Sequence, residues 1–219
     1  MPSKGQHFLI DLTAINKVIS YVDFSKRPII EVGGGKGALT TLLRPDLTVE
    51  IDNSLTKYLK DYNLVIADAV ASPFFRGQVV SSLPYYITYD FMREMVKNSR
   101  IFRLVLLLQK DFIDKVFNKA TYISFTLHYH FTIHSKDTIP PRAFSPRPRV
   151  YSQIAIFERV RDYNRHVDEV LKCVSSYKNK KLNSVAKLCG LNVTSDRRIR
   201  DFKPCQVIEL LNFLGIEYV

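Results

Sequence analysis

Four glycines within five residues, Gly33-Gly34-Gly35-Lys36-Gly37, constrain the fold of this chain more than any other stretch. They follow an apolar run, and apolar residues resume after them at helical spacing, so the pattern predicts a strand, a tight turn and a helix that begins near Gly37. Gly33 and Gly35 lack a Cβ, which lets the backbone turn sharply and a ligand lie against it. A helix after such a turn directs free N–H groups at that ligand. The stretch predicts a site for a nucleoside-containing cofactor, with a purely structural turn as the alternative.

Acidic residues stand at the ends of three predicted strands. Glu31 precedes the glycines, and Asp68 ends the third strand. Glu50 and Asp52 end the second strand. In a parallel sheet a ligand lies across the carboxyl ends of the strands. Glu50 or Asp52 would accept the hydroxyls of a ribose, and Asp68 would accept the amino group of an adenine; the alternative for each is a helix N-cap.

The glycines alone leave the identity of the cofactor open. The pattern Gly33-x-Gly35-x-x-Ala38 also fits a loose dinucleotide fingerprint, so a nicotinamide oxidoreductase remains a rival hypothesis. Two features favour S-adenosylmethionine. One is the carboxylate of Glu31, placed to hold a turn that faces an ammonium group, and the other is the later stretch Ser82-Leu83-Pro84-Tyr85.

That later stretch predicts a pocket for an amino group on a flat base. Pro84 fixes its own φ and biases Leu83 away from helix, which gives a stiff exit from the fourth strand. Such a corner presents Ser82 Oγ and the Leu83 carbonyl as neighbouring acceptors for an exocyclic amine. The base itself would stack on the ring of Tyr85, as in pockets for extruded bases.

The composition indicates an α/β domain with a small appendage and a polyanionic partner. The chain has 219 residues, 46% of them hydrophobic, and a formal net charge of +11. Such a charge favours nucleic acid, with a solvated basic surface as the alternative. Cys173, Cys189 and Cys205 are scattered and predict neither a disulfide nor a zinc site. Because no apolar run approaches membrane-spanning length, we expect a soluble protein of the cytoplasm.

The last third of the chain is predicted to bind RNA. After a composition shift near Arg159, three helices are expected at about 166–176, 180–189 and 204–214, and a solvated helical lid is the alternative. The basic side chains expected to contact phosphates are Arg147 and Arg149 in a proline-rich loop, and Lys180, Lys181, Arg197 and Arg198 around the helices.

Residues 122–133 are predicted to form a strand, with His128 and His130 on one face. This pair invites a metal-site hypothesis. We expect no metal, because no third ligand appears at a sensible spacing.

Ordered motifs along nearly the whole chain resemble those of one enzyme family. They are Gly5-Gln6-His7-Phe8-Leu9, the glycine turn, Val49-Glu50-Ile51-Asp52, Ala67-Asp68-Ala69, Ser82-Leu83-Pro84-Tyr85, Leu107-Leu108-Gln109-Lys110 and Phe144-Ser145-Pro146-Arg147-Pro148-Arg149-Val150-Tyr151-Ser152. Together they resemble the rRNA adenine N6-dimethyltransferases, which modify two adjacent adenosines near the 3′ end of small-subunit rRNA. The last motif is specific to this family among methyltransferases.

The resemblance implies a Rossmann-like, class I S-adenosylmethionine-dependent methyltransferase domain over 1–158, with a mostly parallel seven-stranded sheet, and a helical RNA-binding domain over 159–219. It implies that Phe144 stacks on the target base opposite Tyr85, at a catalytic corner made of Ser82, Leu83, Pro84 and Tyr85. The implied cofactor contacts are Gln6, His7, Leu9, Glu31, Gly33, Gly35, Glu50, Ile51, Asp68, Ala69 and Ser82. We expect a monomer acting on rRNA within a precursor of the small ribosomal subunit.

Three positions depart from the pattern of the family. Ser82 stands where Asn is usual and keeps an oxygen acceptor on a shorter side chain, while Tyr86 and His7 replace two further asparagines. The departure at Ser82 leaves an alternative function, a non-catalytic RNA-binding factor of ribosome assembly.

Overall fold

A computed structural model describes residues 6–71, 76–193 and 195–217, so Gly5 of the opening motif lies outside the described residues. The chain forms two compact units. The first contains Met1–Ile113 and Ile133–Arg159, and the second contains Asp114–Thr132 and Val160–Val219. The second unit thus includes 114–132, which the sequence predicts in the first domain.

The first unit is built on a seven-stranded sheet of order β4-β3-β2-β5-β6-β9-β7. Its strands are β2 (Ile29–Val32), β3 (Leu47–Glu50), β4 (Leu64–Ile66), β5 (Gly77–Ser82), β6 (Ile101–Gln109), β7 (Phe131–Ile139) and β9 (Ser152–Arg159). The pairs from β4 through β6 are parallel, and β9 runs antiparallel to β6. The predicted mostly parallel, seven-stranded sheet is confirmed. Two short strands, β1 (Phe8–Leu9) and β8 (Phe144–Ser145), pair separately and antiparallel to each other.

Eight α-helices are assigned within the described ranges. They are α1 (Leu12–Ser20), α2 (Thr40–Leu43), α3 (Thr88–Lys97), α4 (Lys110–Asn118), α5 (Tyr122–His130), α6 (Arg165–Ser176), α7 (Leu182–Cys189) and α8 (Val207–Phe213). The three helices expected after Arg159 are confirmed by α6, α7 and α8. None of the described helices is long and apolar enough to cross a membrane.

The centre of the sheet in the first unit is apolar and buried. Residues 104–108 of β6 are at most 1% exposed, as expected for a strand covered on both faces. Helix α1 packs Ala14, Ile15 and Val18 into the cluster that also holds Val105 of β6. Asp11 begins this helix by accepting a hydrogen bond from the Ala14 N–H at 2.8 Å.

The predicted strand at 122–133 is wrong over most of its length, because Tyr122–His130 forms α5. Its aromatic and β-branched residues are typical of a strand. In the structure the side chains of this helix are buried on nearly every face. Because a helix that is buried on all sides has no polar face, its sequence lacks the periodic pattern that would have predicted a helix. Thr121 begins the helix by accepting a hydrogen bond from the Ser124 N–H at 3.4 Å.

The helix expected to begin near Gly37 is shorter and starts later than predicted. Gly37 has φ +83°, and α2 covers only Thr40–Leu43. The backbone after the glycines is therefore a turn that tightens into one helical turn.

The second unit has its own core and a disulfide. Helices α5 to α8 converge on Phe125, Val170, Leu182 and Leu210, all at most 7% exposed. Cys173 in α6 is bonded to Cys189 in α7, with Cα atoms 6.0 Å apart. The prediction of no disulfide is wrong. The two cysteines are 16 residues apart in the sequence, and only the packing of α6 against α7 brings them together. Cys205 is free and exposed.

Candidate active site

A cavity of about 420 Å³ opens at the carboxyl ends of the parallel strands in the first unit. Its size suits a small molecule. Every residue expected to contact the cofactor lines it, namely Gln6, His7, Leu9, Glu31, Gly33, Gly35, Glu50, Ile51, Asp68, Ala69 and Ser82. The structure thus brings together positions that are spread over more than seventy residues of the sequence.

The glycine turn forms one wall of the cavity. Gly33 has φ +73°, and a Cβ placed on it would meet no atom within 4 Å, so the open side of the backbone can take a ligand. The sequence does not single out Gly34. This position needs a glycine because of close packing rather than because of access for a ligand. A Cβ there would lie 2.6 Å from Thr48 Cγ2, so the turn packs directly on β3.

Glu50 holds the glycine turn from the end of β3. Its carboxylate accepts hydrogen bonds from the Gly35 N–H at 2.8 Å and from the Asp52 N–H at 2.9 Å. The side chain is only 5% exposed and still lines the cavity. Each carboxylate oxygen has a second lone pair, so Glu50 can support the turn and accept ribose hydroxyls together. Asp52, the other acid considered for this role, is not among the lining residues.

Glu31 is a buried carboxyl at the base of the cavity. It is 1% exposed, and its Oε2 has no hydrogen-bond partner. Burial raises the pKa of Glu31 to about 8, and the nearby negative charge of Glu50 acts in the same direction. A cationic group in the cavity would reverse this effect and favour the ionised carboxylate. A buried carboxyl with one unpartnered oxygen fits a ligand that carries an ammonium group.

Asp68 caps a turn at the edge of the cavity. Its Oδ1 accepts a hydrogen bond from the Val70 N–H at 2.9 Å and so caps the short turn after β4. The side chain is exposed and lines the cavity. A carboxylate that caps with one oxygen keeps the other for an amino group of the ligand.

The corner after β5 forms the far wall. Pro84 has φ −58° and ψ 132°, an extended geometry that turns into a short 3₁₀ segment at Tyr85–Ile87. Ser82, Leu83 and Pro84 line the large cavity. They also line a second cavity of about 10 Å³, shared with Tyr85 and Phe144. The corner therefore separates a cofactor-sized space from a small space between two aromatic side chains.

Tyr85 and Phe144 are held tightly in this conformation. The Tyr85 hydroxyl lies 2.8 Å from Ser152 Oγ, and its ring centroid is 5.7 Å from that of His7. Burial raises the pKa of the Tyr85 phenol. Phe144 is 3% exposed. A cavity of about 10 Å³ holds no purine, so a base fits between these rings only after side chains move.

The pairing of β1 with β8 places the amino-terminal segment at the site. Leu9 lies opposite Phe144, and the peptide before it brings His7 Nδ1 to 2.8 Å from the Pro146 carbonyl oxygen. Gln6 and His7 both line the large cavity. The two side chains are therefore placed where they can cover a ligand in the cavity.

Several lining residues have no clear signal in the sequence. Asp90 in the first turn of α3 resembles an ordinary helix acid, and Tyr86 is 65% exposed. Lys36 lies 4.8 Å from the ring centroid of Phe8 and is, among the residues that the structure describes, the one lysine or arginine lining the cavity. Only the fold places Asp90, about sixty residues after Glu31, beside the same space.

The basic residues predicted to contact RNA differ in exposure and in the contacts that they make within the protein. Arg147, Arg149 and Lys180 are exposed. Lys181 pairs with Asp196 at 2.8 Å, and Arg198 donates to the Asn179 carbonyl at 3.1 Å.

Arg197 packs against other side chains of the second unit, although its own side chain is 40% exposed. Its guanidinium carbon lies 3.9 Å from the Phe202 ring centroid and a nitrogen lies 3.1 Å from Glu209. This stacking gives Arg197 a packing role in the second unit.

His128 and His130 do not share a face, because they are two residues apart on a helix rather than on a strand. Burial lowers the pKa of His128. Across the described ranges, no group of three or more His, Cys, Asp or Glu side chains is arranged to hold a metal ion.

Comparison with known proteins gives consistent matches. A family model described as "Ribosomal RNA adenine dimethylase" matches residues 2–186. The ribosomal RNA small subunit methyltransferase A of Mycoplasmopsis pulmonis is 31% identical over 180 residues, covering 74% of this chain and 71% of that protein. The protein of the same name from Mycoplasma mobile is 29% identical, covering 83% and 81%. A crystal structure of a dimethyladenosine transferase from Plasmodium falciparum has a TM-score of 0.78 at 18% identity, covering 97% of this chain and all of that one.

Proposed function

Because this chain belongs to the ribosomal RNA adenine dimethylase family, we propose that it transfers methyl groups from S-adenosylmethionine to N6 of adenines in rRNA. Its sheet order and its likeness to the dimethyladenosine transferase structure confirm the predicted Rossmann-like methyltransferase fold. The nicotinamide oxidoreductase and the non-catalytic assembly factor are not favoured by these matches. We place the target at two adjacent adenosines near the 3′ end of small-subunit rRNA.

The charge of the large cavity is the observation that carries this function. The formal net charge of the chain is +11, yet the described residues that line the cavity include four carboxyl groups and one lysine. The five side chains are Glu31, Glu50, Asp68, Asp90 and Lys36. Such a lining repels the pyrophosphate of a dinucleotide and suits a cofactor that carries a sulfonium and an ammonium group.

S-adenosylmethionine supplies an electrophilic methyl group on its sulfonium. We assign the ribose hydroxyls to Glu50, the adenine amino group to Asp68 and the ammonium group to the region of Glu31. Gly33 and Gly35 let the backbone approach the ligand, while Gln6 and His7 cover it. These assignments rest on the lining of the cavity and on the hydrogen bonds described above.

We assign the target adenine to the corner after β5. Ser82 Oγ and the Leu83 carbonyl would accept the two hydrogens of the exocyclic amine, and Tyr85 and Phe144 would stack on the base. Because the present space between the rings is so small, entry of the base requires side chains that line it to move. Catalysis then comes from orienting and desolvating the amine rather than from a strong base. The proton leaves to water after methyl transfer.

Phosphate contacts with RNA are proposed separately for each unit. Arg147 and Arg149 are exposed in the first unit, and Lys180 is exposed in the second, with Lys181 and Arg198 as further candidates there. Arg197 stays a candidate as well, since its side chain is 40% exposed while it stacks on Phe202. We further propose a monomer without a metal that acts in the cytoplasm on a precursor of the small subunit.

Methyl transfer from isotopically labelled S-adenosylmethionine to a small-subunit rRNA fragment tests the function. Nucleoside mass analysis of the product should find N6,N6-dimethyladenosine. Tyr85→Ala should lower turnover by about ten- to a hundredfold, because stacking on an aromatic ring contributes about 1–3 kcal/mol per base.

Tyr58→Ala is the matched control, since Tyr58 is an exposed tyrosine that lines neither cavity. Its turnover should equal that of the wild type. RNA binding by the wild type without any methylated nucleoside would instead identify a non-catalytic assembly factor.

A further inference from the structure

Asp90 lines the large cavity but has no assigned contact with the cofactor. It lies in the first turn of α3, on the segment that follows the catalytic corner, and its side chain is exposed. Its carboxylate accepts no hydrogen bond and forms no ion pair with any residue that the structure describes. Glu50 and Asp68, by contrast, accept N–H groups of the backbone. Both oxygens of Asp90 are thus available to a ligand.

Helix α3 brings Asp90 to the adenine end of the cavity. Cα atoms of this helix come within 8 Å of those in the short turn Ala69–Ala71, which follows β4. Asp68 directly precedes that turn and caps it through the Val70 N–H at 2.9 Å. Since Asp68 is assigned to the adenine amino group, the packing of α3 on its turn places a second acid near the same group of the ligand.

Apolar side chains accompany both acids along the wall of the cavity. Ala69 and Val70 line it from the turn, and Ile87 lines it one helical turn before Asp90. Residues three apart on a helix lie on the same face, so Ile87 and Asp90 face the cavity together. Apolar walls with a few placed polar groups are what a flat base requires, and this end of the cavity supplies both.

The amino group of adenine carries two hydrogens and so has room for two acceptors. Asp68 uses Oδ1 for the Val70 N–H and keeps its other oxygen for one of these hydrogens. Asp90, which has no partner among the described residues, can accept the other hydrogen. A 6-oxo purine would instead set its carbonyl oxygen against two carboxylates and lose both hydrogen bonds.

We propose that Asp90 accepts the second hydrogen of the cofactor's adenine amino group and, together with Asp68, makes the cavity select adenine over a 6-oxo purine. The inference rests on the proposed function, since it takes S-adenosylmethionine as the cofactor. It adds a residue that determines which base the cofactor carries. Because the adenine of the cofactor does not react, the contact acts on binding rather than on methyl transfer.

Calorimetric titration with two ligands tests this contact. S-adenosylhomocysteine carries the amine, and S-inosylhomocysteine is the same molecule with a 6-oxo group in its place. Asp90→Ala should bind S-adenosylhomocysteine about tenfold more weakly than the wild type, which is the scale of one hydrogen bond to a charged group. Its affinity for S-inosylhomocysteine should be unchanged or higher, because the repulsion from one carboxylate is gone. The preference for adenine should therefore fall by about tenfold or more.

Two further variants separate the contact from general effects of charge. Asp90→Asn keeps the size of the side chain and can turn its NH₂ toward a 6-oxo group, so it should bind S-inosylhomocysteine more tightly than the wild type does. Glu94→Gln is the matched control, because Glu94 is an acid of the same helix that pairs with Lys97 at 2.7 Å and does not line the cavity. This control should keep both affinities of the wild type.

Other roles of Asp90 would give different patterns. An acid in the first turn of a helix stabilises that helix, so equal weakening of both ligands with a lower free energy of unfolding would overturn the proposal. A larger loss for S-adenosylmethionine than for S-adenosylhomocysteine would place Asp90 at the sulfonium instead. Unchanged affinities in Asp90→Ala would remove it from the site. Failure of the wild type to bind any of these ligands would instead contradict the proposed function.

Discussion

Replacing Glu50 by glutamine should show whether the glycine turn and the cofactor share one carboxylate. Glu50 accepts the N–H groups of Gly35 and Asp52, one at each oxygen. Glu50→Gln keeps the shape of the side chain, but its amide NH₂ must face one of these two donors. Hydrogen bonds to a charged group contribute about 1.5–3 kcal/mol, so the loss of one such bond sets the scale of the effect. We expect binding of S-adenosylhomocysteine to weaken by about 1.5–3 kcal/mol, or roughly ten- to a hundredfold.

Isothermal titration calorimetry at a temperature well below unfolding measures this change. Asp52→Asn is the matched control, because it makes the same chemical change two residues further on. The Asp52 carboxylate accepts the Ser54 N–H at 3.0 Å and the Ser54 hydroxyl at 2.8 Å, and Asp52 does not line the cavity. Its affinity should match that of the wild type. The reasoning is refuted if Glu50→Gln binds as tightly as the wild type, or if both variants weaken equally.

Three other predictions follow from features described above. Burial raises the pKa of Glu31 from an ordinary value of 4.5 to about 8, so the folded state holds a proton that the unfolded state releases. The free energy of unfolding should therefore fall between about pH 4.5 and pH 8, and Glu31→Gln should abolish that slope; denaturant unfolding at pH 5, 6.5 and 8 would show whether it persists. Cys173→Ser/Cys189→Ser should lose about 2–4 kcal/mol of unfolding free energy, because the disulfide closes a loop of 16 residues; an unfolding midpoint equal to that of the oxidised wild type would contradict this. Ser82→Asn restores the residue usual in the family and should methylate rRNA as fast as the wild type or faster, and a clear loss of single-turnover rate would show that the site is built around serine.

The sheet and the cavity lining were predictable because local patterns encode them. Apolar runs that end in Glu31, Glu50 and Asp68 mark successive parallel strands, and the topology of such sheets brings those ends to one edge. Glycines at positive φ, such as Gly33, are visible in the sequence for the same local reason.

What the sequence hides depends on contacts between distant segments. Helix α5 carries strand-forming residues, and only its enclosure by the second unit makes it a helix. The bond between Cys173 and Cys189 depends on how α6 meets α7. Any side chain at position 34 would collide with Thr48, and the guanidinium of Arg197 stacks on Phe202. Both contacts join residues that are apart in the sequence, so no local pattern reveals them.

The pairing of β1 with β8 makes the occupancies of the two proposed ligand sites interdependent. Leu9, which lines the cavity proposed for the cofactor, lies opposite Phe144, which is proposed to bind the target base, and His7 Nδ1 lies 2.8 Å from the Pro146 carbonyl oxygen. A ligand that orders one strand therefore orders the other, and the second ligand loses less conformational entropy on binding. Linkage requires this cooperativity to be reciprocal, so rRNA should tighten the cofactor by the same factor by which the cofactor tightens rRNA.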